Sequence, residues 1–474
     1  MNNNKIIDIN KKSFLSIIAM LAALMIVSII ITYVVPKGTF GTRVDEFGNE
    51  IIDYTQYISL PDSKGINVIK GIFSFVLVLF SSDGITLIML SLFLLTISGT
   101  FQVMSDTEGI NVIVKKIVTK FKNKKKLLVS IITLVFMMFG SFFGLFEEVL
   151  TLLPLIVMVT ISIGYDGYLG FVICIVATGF GFASALTNPF TVITASNIIG
   201  ASPMTNIWYR IIIFFVMYGL LLLVIFKHIK KITTDPLKSP TYKADLKKKE
   251  ITKEDVVIEN EGLIARTYIV ILSLILGCII VVTSIDALRS YTVVFLIVLF
   301  LISGIVAGRL INHNFKDTFK SFGKGVVAAF PTILLVLMAS SIKYILEEGM
   351  IIATIASSIS ELINGKNIFV VAIIIYAIVL VLEFFISSST AKSVFVMGIL
   401  SFISIDLSKE SLVLIYLFGD GFTNVLFPTS PVLLIGLSMI GMNYFSWLKN
   451  SKWLFVFNTI IVVGLIFLAI VIGY

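Results

Sequence analysis

The chain has 474 residues, of which 58% are hydrophobic and only 14% are Asp, Glu, Lys or Arg. A soluble protein of this length needs a charged surface, so the composition excludes the soluble classes and indicates that lipid surrounds the chain. The net charge of +8 lies in the polar connections between apolar runs. This is typical of membrane orientation signals and not of nucleic-acid binding.

The basic connections predict how the chain is oriented. Residues 115–126 contain seven lysines and no acidic residue, and residues 227–261 contain nine lysines. Because Lys and Arg are enriched in cytoplasmic loops, these segments, the N-terminus and residues 309–324 are expected in the cytoplasm. Residues 36–67 carry three basic and five acidic residues and are expected outside. The prediction is a multi-pass protein of the cytoplasmic membrane with a cytoplasmic N-terminus.

Apolar runs of about twenty residues, enough to cross the core of a bilayer, recur along the chain. The first, residues 14–35, is too long for a signal-peptide core and lacks a small-residue cleavage site, so it is interpreted as a retained span. Residues 68–80 are predicted to form an interfacial or packed helix, because another crossing there would place the lysines of 115–126 outside. The other predicted spans are 84–104, 207–226, 263–283, 291–309, 326–346 and 453–474.

Two longer apolar stretches, residues 127–165 and 367–405, carry small or polar residues at their centres. Each is long enough for two helical arms, and both are predicted to be re-entrant hairpins whose irregular tips are covered by protein or a water-filled cavity. Residues 168–200 and 411–440 are interrupted by prolines, which remove a backbone donor and clash with the preceding turn. They are predicted to be broken helices that open a binding site; a purely structural kink is the alternative.

The two halves of the chain match at a constant offset of 240 residues. Gly179 and the seven residues after it align with Gly419 and its followers, Glu108 aligns with Glu348, and the hairpin tips coincide. With the orientation above, the copies are inverted. The predicted fold class is an all-α integral membrane protein with a first inverted repeat at 1–226, a cytoplasmic linker at 227–262 and a second inverted repeat at 263–474. Inverted repeats with broken helices are typical of secondary transporters.

Candidate substrate-binding residues lie at the hairpin tips and the helix breaks. Glu147 and Glu148 at the first tip suit an ammonium or guanidinium group, a cation or a proton, because an intramembrane carboxylate is costly and usually functional; a tip that reaches a wet surface is the alternative. The hydroxyls of the second tip suit a carboxylate, as do exposed helix N-termini, and freed carbonyls suit a cation; small-residue packing is the alternative. These further candidates are Ser387, Ser388, Ser389 and Thr390 at the second tip, and Thr187, Asn188, Thr423, Asn424, Thr429 and Ser430 at the breaks.

Glu383 and Asp420 are the candidate ion-coupling residues, because each lies within an apolar stretch. A structural ion pair between Glu383 and Lys392 is the alternative. Both histidines, His228 and His313, lie in polar connections, which argues against a metal site or a catalytic triad. We therefore expect no resident metal, no cofactor and no enzymatic activity, with Na⁺ or H⁺ as the coupling ion.

Four segments make the family recognisable. The stretches 146–154, 187–190, 387–390 and 419–430 resemble the YfcC-like branch of the C4-dicarboxylate anaerobic carrier (DcuC) family, within the ion transporter superfamily, and the resemblance extends over roughly residues 14–472. It implies a scaffold domain, a transport domain that carries the hairpins and broken helices, an elevator-type motion and usually a homodimer. It also implies that the substrate and the coupling cation bind between the tips and the breaks.

The sequence therefore predicts a secondary active transporter for a small carboxylate-bearing metabolite, working by exchange or ion coupling. A basic amino acid would place its carboxylate at the serine tip and its cationic end at Glu147 or Glu148. A C4-dicarboxylate would use hydroxyls, amides and helix N-termini at both tips. The excess of acidic side chains near the predicted sites favours the amino acid. An ion channel is the alternative class, but it requires a continuous polar pore lining, and paired tips favour a carrier.

Overall fold

The computed structural model describes residues 11–44, 50–61, 64–81, 84–121, 123–251, 260–285, 288, 291–312, 314–363, 365–385, 389–400 and 407–474. Most of these residues are helical. Six described helical stretches are long and apolar enough to cross a membrane by length and composition. They are Leu87–Asp106, Lys125–Phe143, Ile207–Thr234, Val293–Ile311, Phe315–Glu348 and Tyr444–Val471.

The first half of the chain runs from long helices through a series of short, interrupted ones to another long helix. Its α-helices and strands, in chain order, are α1 (Lys11–Val34), β1 (Gly38–Val44), β2 (Glu50–Ser59), α2 (Val68–Ile72), α3 (Ser74–Leu77), α4 (Gly84–Asp106), α5 (Gly109–Lys120), α6 (Lys125–Met138), α7 (Leu153–Ser162), α8 (Gly167–Phe171), α9 (Ala177–Ala183), α10 (Thr194–Ile199) and α11 (Ile207–Thr234). Short 3₁₀ or π turns, at Val78–Phe80, Phe139–Phe143, Glu148–Thr151, Val172–Val176 and Pro189–Ile193, extend or join these helices.

The second half shows a similar succession. A 3₁₀ turn at Pro236–Lys238 precedes it and another, Thr423–Val425, lies within it. Its α-helices are α12 (Tyr242–Ile251), α13 (Glu261–Ser284), α14 (Thr292–Asn312), α15 (Phe315–Glu348), α16 (Ile352–Ile363), α17 (Ile368–Phe385), α18 (Ser389–Leu400), α19 (Lys409–Gly421), α20 (Pro431–Met439) and α21 (Tyr444–Val471).

The all-α prediction is wrong for the segment between α1 and α2. Strands β1 and β2 pair antiparallel, from Gly38 opposite Ser59 to Val44 opposite Glu50, with an irregularity between Phe40 and Gly41. The reason is local composition: this segment is rich in Thr, Tyr and Ile, which favour strands, and it is too polar to cross a membrane. The hairpin packs on α16, where the Tyr57 hydroxyl lies 2.9 Å from Thr354 Oγ1.

The helices form two groups by their contacts. In the first, α4 packs against α14 and α15, α1 packs against α15, and α13 joins α14 and α5. In the second, α6 to α11 pack with α17 to α21, and contacts such as α15 with α20 join the groups. Each half of the chain thus contributes its early helices to the first group and its later helices to the second.

Local signals explain where the helices of the second group stop. The first arm, α6 with its π turn, ends at Gly144, whose φ of +69° is the left-handed conformation that glycine adopts without strain. Lys125 Nζ donates to the carbonyl of Ile163 over 2.6 Å, so the outer ends of α6 and α7 lie side by side, as in a helical hairpin. The placement of this hairpin within a membrane remains a prediction.

Candidate substrate site at the two helix breaks

The first broken helix is interrupted at residues 184–188. Its first part, Gly167–Ala183, is succeeded by Pro189–Ile199. Asn188 precedes this second part and its side-chain oxygen accepts a hydrogen bond from Phe190 N, while Pro189 occupies the first helical position. An amide cap followed by proline is a strong helix-start signal. The break therefore follows from the local sequence.

The tip of the first hairpin is joined to this break by uncharged hydrogen bonds. The N–H groups of Leu186 and Thr187 donate to the Ser141 carbonyl over 3.0 and 3.2 Å, and the Ser141 hydroxyl donates to the Ser184 carbonyl over 2.9 Å. The Thr187 hydroxyl donates to the Phe142 carbonyl over 3.0 Å. Thr187, a predicted substrate-binding residue, thus helps to connect the hairpin tip to the helix break.

The acidic tip lies beside the same joint. Asn188 Nδ2 donates to the Gly140 carbonyl over 3.2 Å, and a Cβ built on Gly144 would lie 2.4 Å from Asn188 Oδ1. Glu147 and Glu148 follow directly and are partly buried. The Glu148 carboxylate accepts a hydrogen bond from Phe146 N over 3.2 Å. The two glutamates thus follow, by three and four residues, a glycine that lies against Asn188.

The second broken helix repeats the design with different residues. Helix α19 ends at Gly421, a 3₁₀ turn covers Thr423–Val425, and α20 begins at Pro431 with Ser430 as its cap. The Thr423 hydroxyl donates to the Gly419 carbonyl over 2.7 Å, and Asn424 Nδ2 donates to the Asp420 carbonyl over 3.0 Å. These candidates therefore satisfy carbonyls of the helix that ends there.

The two breaks lie against each other. The rings of Phe180 and Phe422 meet edge to face with centroids 4.8 Å apart. A Cβ built on Gly421 would lie 2.2 Å from Ala183 Cα, and one built on Gly179 would lie 2.6 Å from a methyl group of Val425. Glycine is therefore required for this close approach, and the two broken helices cross where each is interrupted.

A buried ion cluster, formed by Glu383, Lys392 and Asp420, joins the second hairpin to the second broken helix. Lys392 Nζ contacts a carboxylate oxygen of Glu383 and lies 2.7 Å from Asp420 Oδ1. The three residues are 4%, 0% and 0% exposed. The predicted Glu383–Lys392 ion pair is thus present, and Asp420 completes it. Two carboxylates against one ammonium leave a net negative charge when all three are ionised.

The remaining predicted site residues belong to the second tip and the second break. Ser387 and Ser388 lie outside the described residues, as does the side chain of Thr390. The Ser389 carbonyl accepts a hydrogen bond from the Tyr416 hydroxyl over 2.6 Å. Thr429 and Ser430 are buried at the second break.

Sequence reasoning missed a second polar cluster at the start of the first broken helix. His228, predicted in a polar connection, lies within α11, and its Nε2 is 2.9 Å from Asp166 Oδ2. Asp245 of the linker accepts a hydrogen bond from Gly167 N over 2.9 Å. These residues are too far apart in the chain for any sequence pattern to connect them. The many lysines around Asp245 instead indicated a cytoplasmic linker.

Long apolar helices, interrupted helices that cross at their breaks and buried charges at the crossing define a multi-pass membrane transporter. The chain belongs to the C4-dicarboxylate anaerobic carrier (DcuC) family, whose match covers residues 14–471.

The relatives that the chain resembles are distant in sequence. It is 23% identical over 390 residues, 79% of this chain and 76% of the relative, to the Escherichia coli (strain K12) protein named "Putative basic amino acid antiporter YfcC". Among solved structures it is similar to the Alcanivorax borkumensis YdaH transporter (15% identity, TM-score 0.42, 97% of this chain and 98% of the other). It is also similar to Neisseria gonorrhoeae MtrF, described as an antimetabolite efflux pump (13% identity, TM-score 0.44, 95% and 94%).

Proposed function

We propose that this protein is a secondary active transporter that moves a small carboxylate-bearing metabolite with a cationic end, of the basic amino acid class, across the cytoplasmic membrane by exchange or ion coupling. The observation that supports this most directly is the acidic tip of Glu147 and Glu148 beside two crossing helix breaks. A partly buried carboxylate pair attracts a cation, and the helices that start at Pro189 and Pro431 have the positive ends of their dipoles at the breaks, which suits a carboxylate.

The wider architecture of the proposal follows from the two helix groups. The second group would be the transport domain and the first the scaffold, arranged as inverted repeats with the N-terminus in the cytoplasm. Both hairpins would be re-entrant, and the transport domain would move by an elevator motion within a homodimer. The second tip, with Ser387, Ser388, Ser389 and Thr390, would complete the site from the opposite side.

The buried ion cluster would be the coupling site. Glu383 and Asp420 exceed Lys392 by one negative charge, and Asp420 Oδ2 is buried without a hydrogen-bond partner among the described residues. An uncompensated carboxylate in such surroundings binds a proton or a cation. The proposed coupling ion is therefore H⁺ or Na⁺, and the proposal includes no resident metal or cofactor.

A C4-dicarboxylate is the second candidate substrate, favoured by the family to which the chain belongs. The two candidates make opposite demands on the acidic tip. A cationic substrate needs the charge of Glu147 or Glu148, whereas a dianion is repelled by it.

Counterflow into proteoliposomes with labelled arginine, ornithine, succinate and short-chain acids tests the proposal. We expect saturable uptake of arginine or ornithine, reduced at least tenfold by Glu147→Gln or Glu148→Gln and unchanged by Glu261→Gln, a control carboxylate exposed beside Lys115. Unchanged transport in both tip variants would remove the first tip from the site. Uptake of succinate alone would establish the dicarboxylate, and flux linear in concentration would identify a channel.

A further inference from the structure

The polar linker between the two halves is folded against the transporter body. Asp245 of α12 is 4% exposed. Its Oδ2 accepts hydrogen bonds from Gly167 N over 2.9 Å and from the Thr241 hydroxyl over 2.6 Å. Thr241 Oγ1 in turn accepts one from Tyr168 N over 3.2 Å. The linker thus satisfies the amides at the start of the first broken helix, and its carboxylate stands where the helix dipole favours negative charge.

Asp166 anchors the same helix start to two further elements. Its Oδ1 accepts a hydrogen bond from Leu169 N over 2.9 Å. Its Oδ2 lies 2.9 Å from His228 Nε2 on α11, and it accepts a hydrogen bond from the Ser239 hydroxyl over 2.7 Å. The start of the first broken helix is therefore enclosed by α11, the turn after it and the linker helix.

The same linker helix reaches the end of the second broken helix. Lys248 Nζ donates to the carbonyl of Met439, the last residue of α20, over 2.9 Å. A Cβ built on Gly441 would lie 3.0 Å from Ala244 Cβ. A positively charged side chain at a helix C-terminus is favoured by the helix dipole. Helix α12 therefore places Asp245 at the start of the first broken helix and, one turn away, Lys248 at the end of the second.

We propose that α12 is a bracket that holds the start of the first broken helix and the end of the second at a fixed separation, and that it moves with both during transport. Asp245 and Lys248 are positioning residues in this scheme, because they act through the helices that carry the candidate site. The movement of α12 rests on the proposed transport function, whereas the bracket itself rests on the contacts of Asp245 and Lys248.

Burial changes the pKa of both Asp245 and Lys248 on the linker helix. Burial raises the pKa of Asp245 to about 6, although the bonds from Gly167 and Thr241 and the charge of Lys248 lower it; the charge of Asp166 raises it further. Burial lowers the pKa of Lys248 from its usual value, against the charge of Asp245. Burial therefore opposes the charged form of Asp245, and the contacts from Gly167, Thr241 and Lys248 offset part of that cost.

A reversible cross-link tests the bracket. Ala244→Cys and Gly441→Cys are introduced together with Cys174→Ala and Cys278→Ser, which remove the native thiols. The two Cβ positions are close enough for a disulfide after a shift of about half an ångström. Because Gly441 has a φ of +70°, the single variant Gly441→Ala controls for strain at that position.

We expect the disulfide to form nearly completely on mild oxidation in membranes. Absence of a cross-link while the Gly441→Ala control remains folded would overturn the bracket. This measurement is independent of any substrate, so it separates failure of the bracket from failure of the proposed function.

Counterflow of labelled arginine and of succinate is then compared in the oxidised and reduced protein. A bracket that moves with the broken helices allows the cross-linked protein to transport within about twofold of the reduced one. A loss of tenfold or more that reducing agent restores would show that α12 belongs to the stationary part. Lys248→Met should lower the transport rate and Lys248→Arg should retain it; equal rates in both variants would contradict a positioning role for the charge.

Discussion

The two hairpin tips are joined to their broken helices by different chemistry. In the first half, Ser141 and Asn188 make the joint with uncharged hydrogen bonds. In the second half, Lys392 makes it with two buried carboxylates. At the offset of 240 residues, the three members of the ion cluster correspond to Phe143, Leu152 and Phe180. The three positions that hold the ion cluster in the second half are thus apolar in the first half.

This difference teaches that the ion cluster is not needed to build the joint. Replacing a buried ion pair with hydrophobic residues of similar volume is often neutral or stabilising for folding. We therefore expect a cluster found in only one half, at the crossing of the two breaks, to matter more for transport than for stability.

The largest effect is expected at Lys392. Lys392→Met leaves Glu383 and Asp420 buried without the ammonium that contacts both, and we expect a loss of about 3–5 kcal/mol in the free energy of unfolding, measured as a fall in Tm of the purified protein in detergent. The triple variant Glu383→Met, Lys392→Met and Asp420→Leu should recover most of this loss and still fail to couple transport to an ion gradient. A triple variant as unstable as Lys392→Met would show that the cluster is structural.

A pH effect is expected at the start of the first broken helix, where the Asp245 carboxyl group is buried. The pKa of Asp245 in the folded state is about 6, above its usual value of 3.8. Between these two pH values the carboxyl group is therefore more protonated in the folded state than in the unfolded state. Stability therefore falls as pH rises from about 4 to about 6, by up to about 3 kcal/mol. The Tm advantage of the wild type over Asp245→Asn should shrink across this window.

Asp166 provides an internal contrast for this experiment. Burial alone would raise its pKa, but the hydrogen bond and charge of His228, with Ser239 and Leu169, hold it below its usual value. Its contribution is therefore present above pH 4 and is lost only as the pH falls further. A Tm difference that is flat from pH 4 to 6 and changes only below pH 4 would contradict the assignment to Asp245.

A smaller effect is expected where the two halves touch. The side chain of Gly421→Ala would overlap the backbone of Ala183, and we expect a loss of about 1–3 kcal/mol. Gly219→Ala in α11 is the matched control, because nothing lies within 4 Å of its added methyl group; it should be neutral or raise stability by up to about 1 kcal/mol. Equal Tm changes in the two variants would argue against the close crossing.

The smallest effect is expected at the uncharged joint. Ser141→Ala removes the bond to the Ser184 carbonyl and an acceptor for Leu186 N, which should cost about 1 kcal/mol. Ser130 lies on the same arm, and its hydroxyl donates to the Lys126 carbonyl of its own helix; Ser130→Ala should therefore change stability by less than about 0.5 kcal/mol. If Ser141→Ala were as damaging as Lys392→Met, the contrast between the joints would not hold.

Local signals account for what the sequence predicted well. Asn188 before Pro189 and Ser430 before Pro431 start helices through contacts within a few residues, so the positions of the interruptions can be read directly. Membership of the family was also recognisable, because it rests on contiguous motifs. Counting charges gave only the polarity of the segment between α1 and α2, and the strands within it were missed.

The remaining features depend on contacts between distant parts of the chain. Asp245 meets Gly167 across 78 positions, and a lysine-rich helix reads as solvated until its partner surface is known. The meeting of Ala183 with Gly421 is likewise set by how two helices cross. Such pairs require the tertiary structure, because no pattern within either segment specifies its partner.

The close crossing of the two broken helices constrains how the gene can change. A larger residue at position 421 is tolerated only if the helix at Ala183 moves away, and the edge-to-face rings of Phe180 and Phe422 impose the same condition on their sizes. The two halves can therefore differ in sequence at their hairpin tips, as the acidic and serine-rich tips illustrate. At the crossing, a substitution in one half requires a compensating substitution in the other. Compensating pairs of substitutions across these four positions are the signature expected among descendants of a common ancestor.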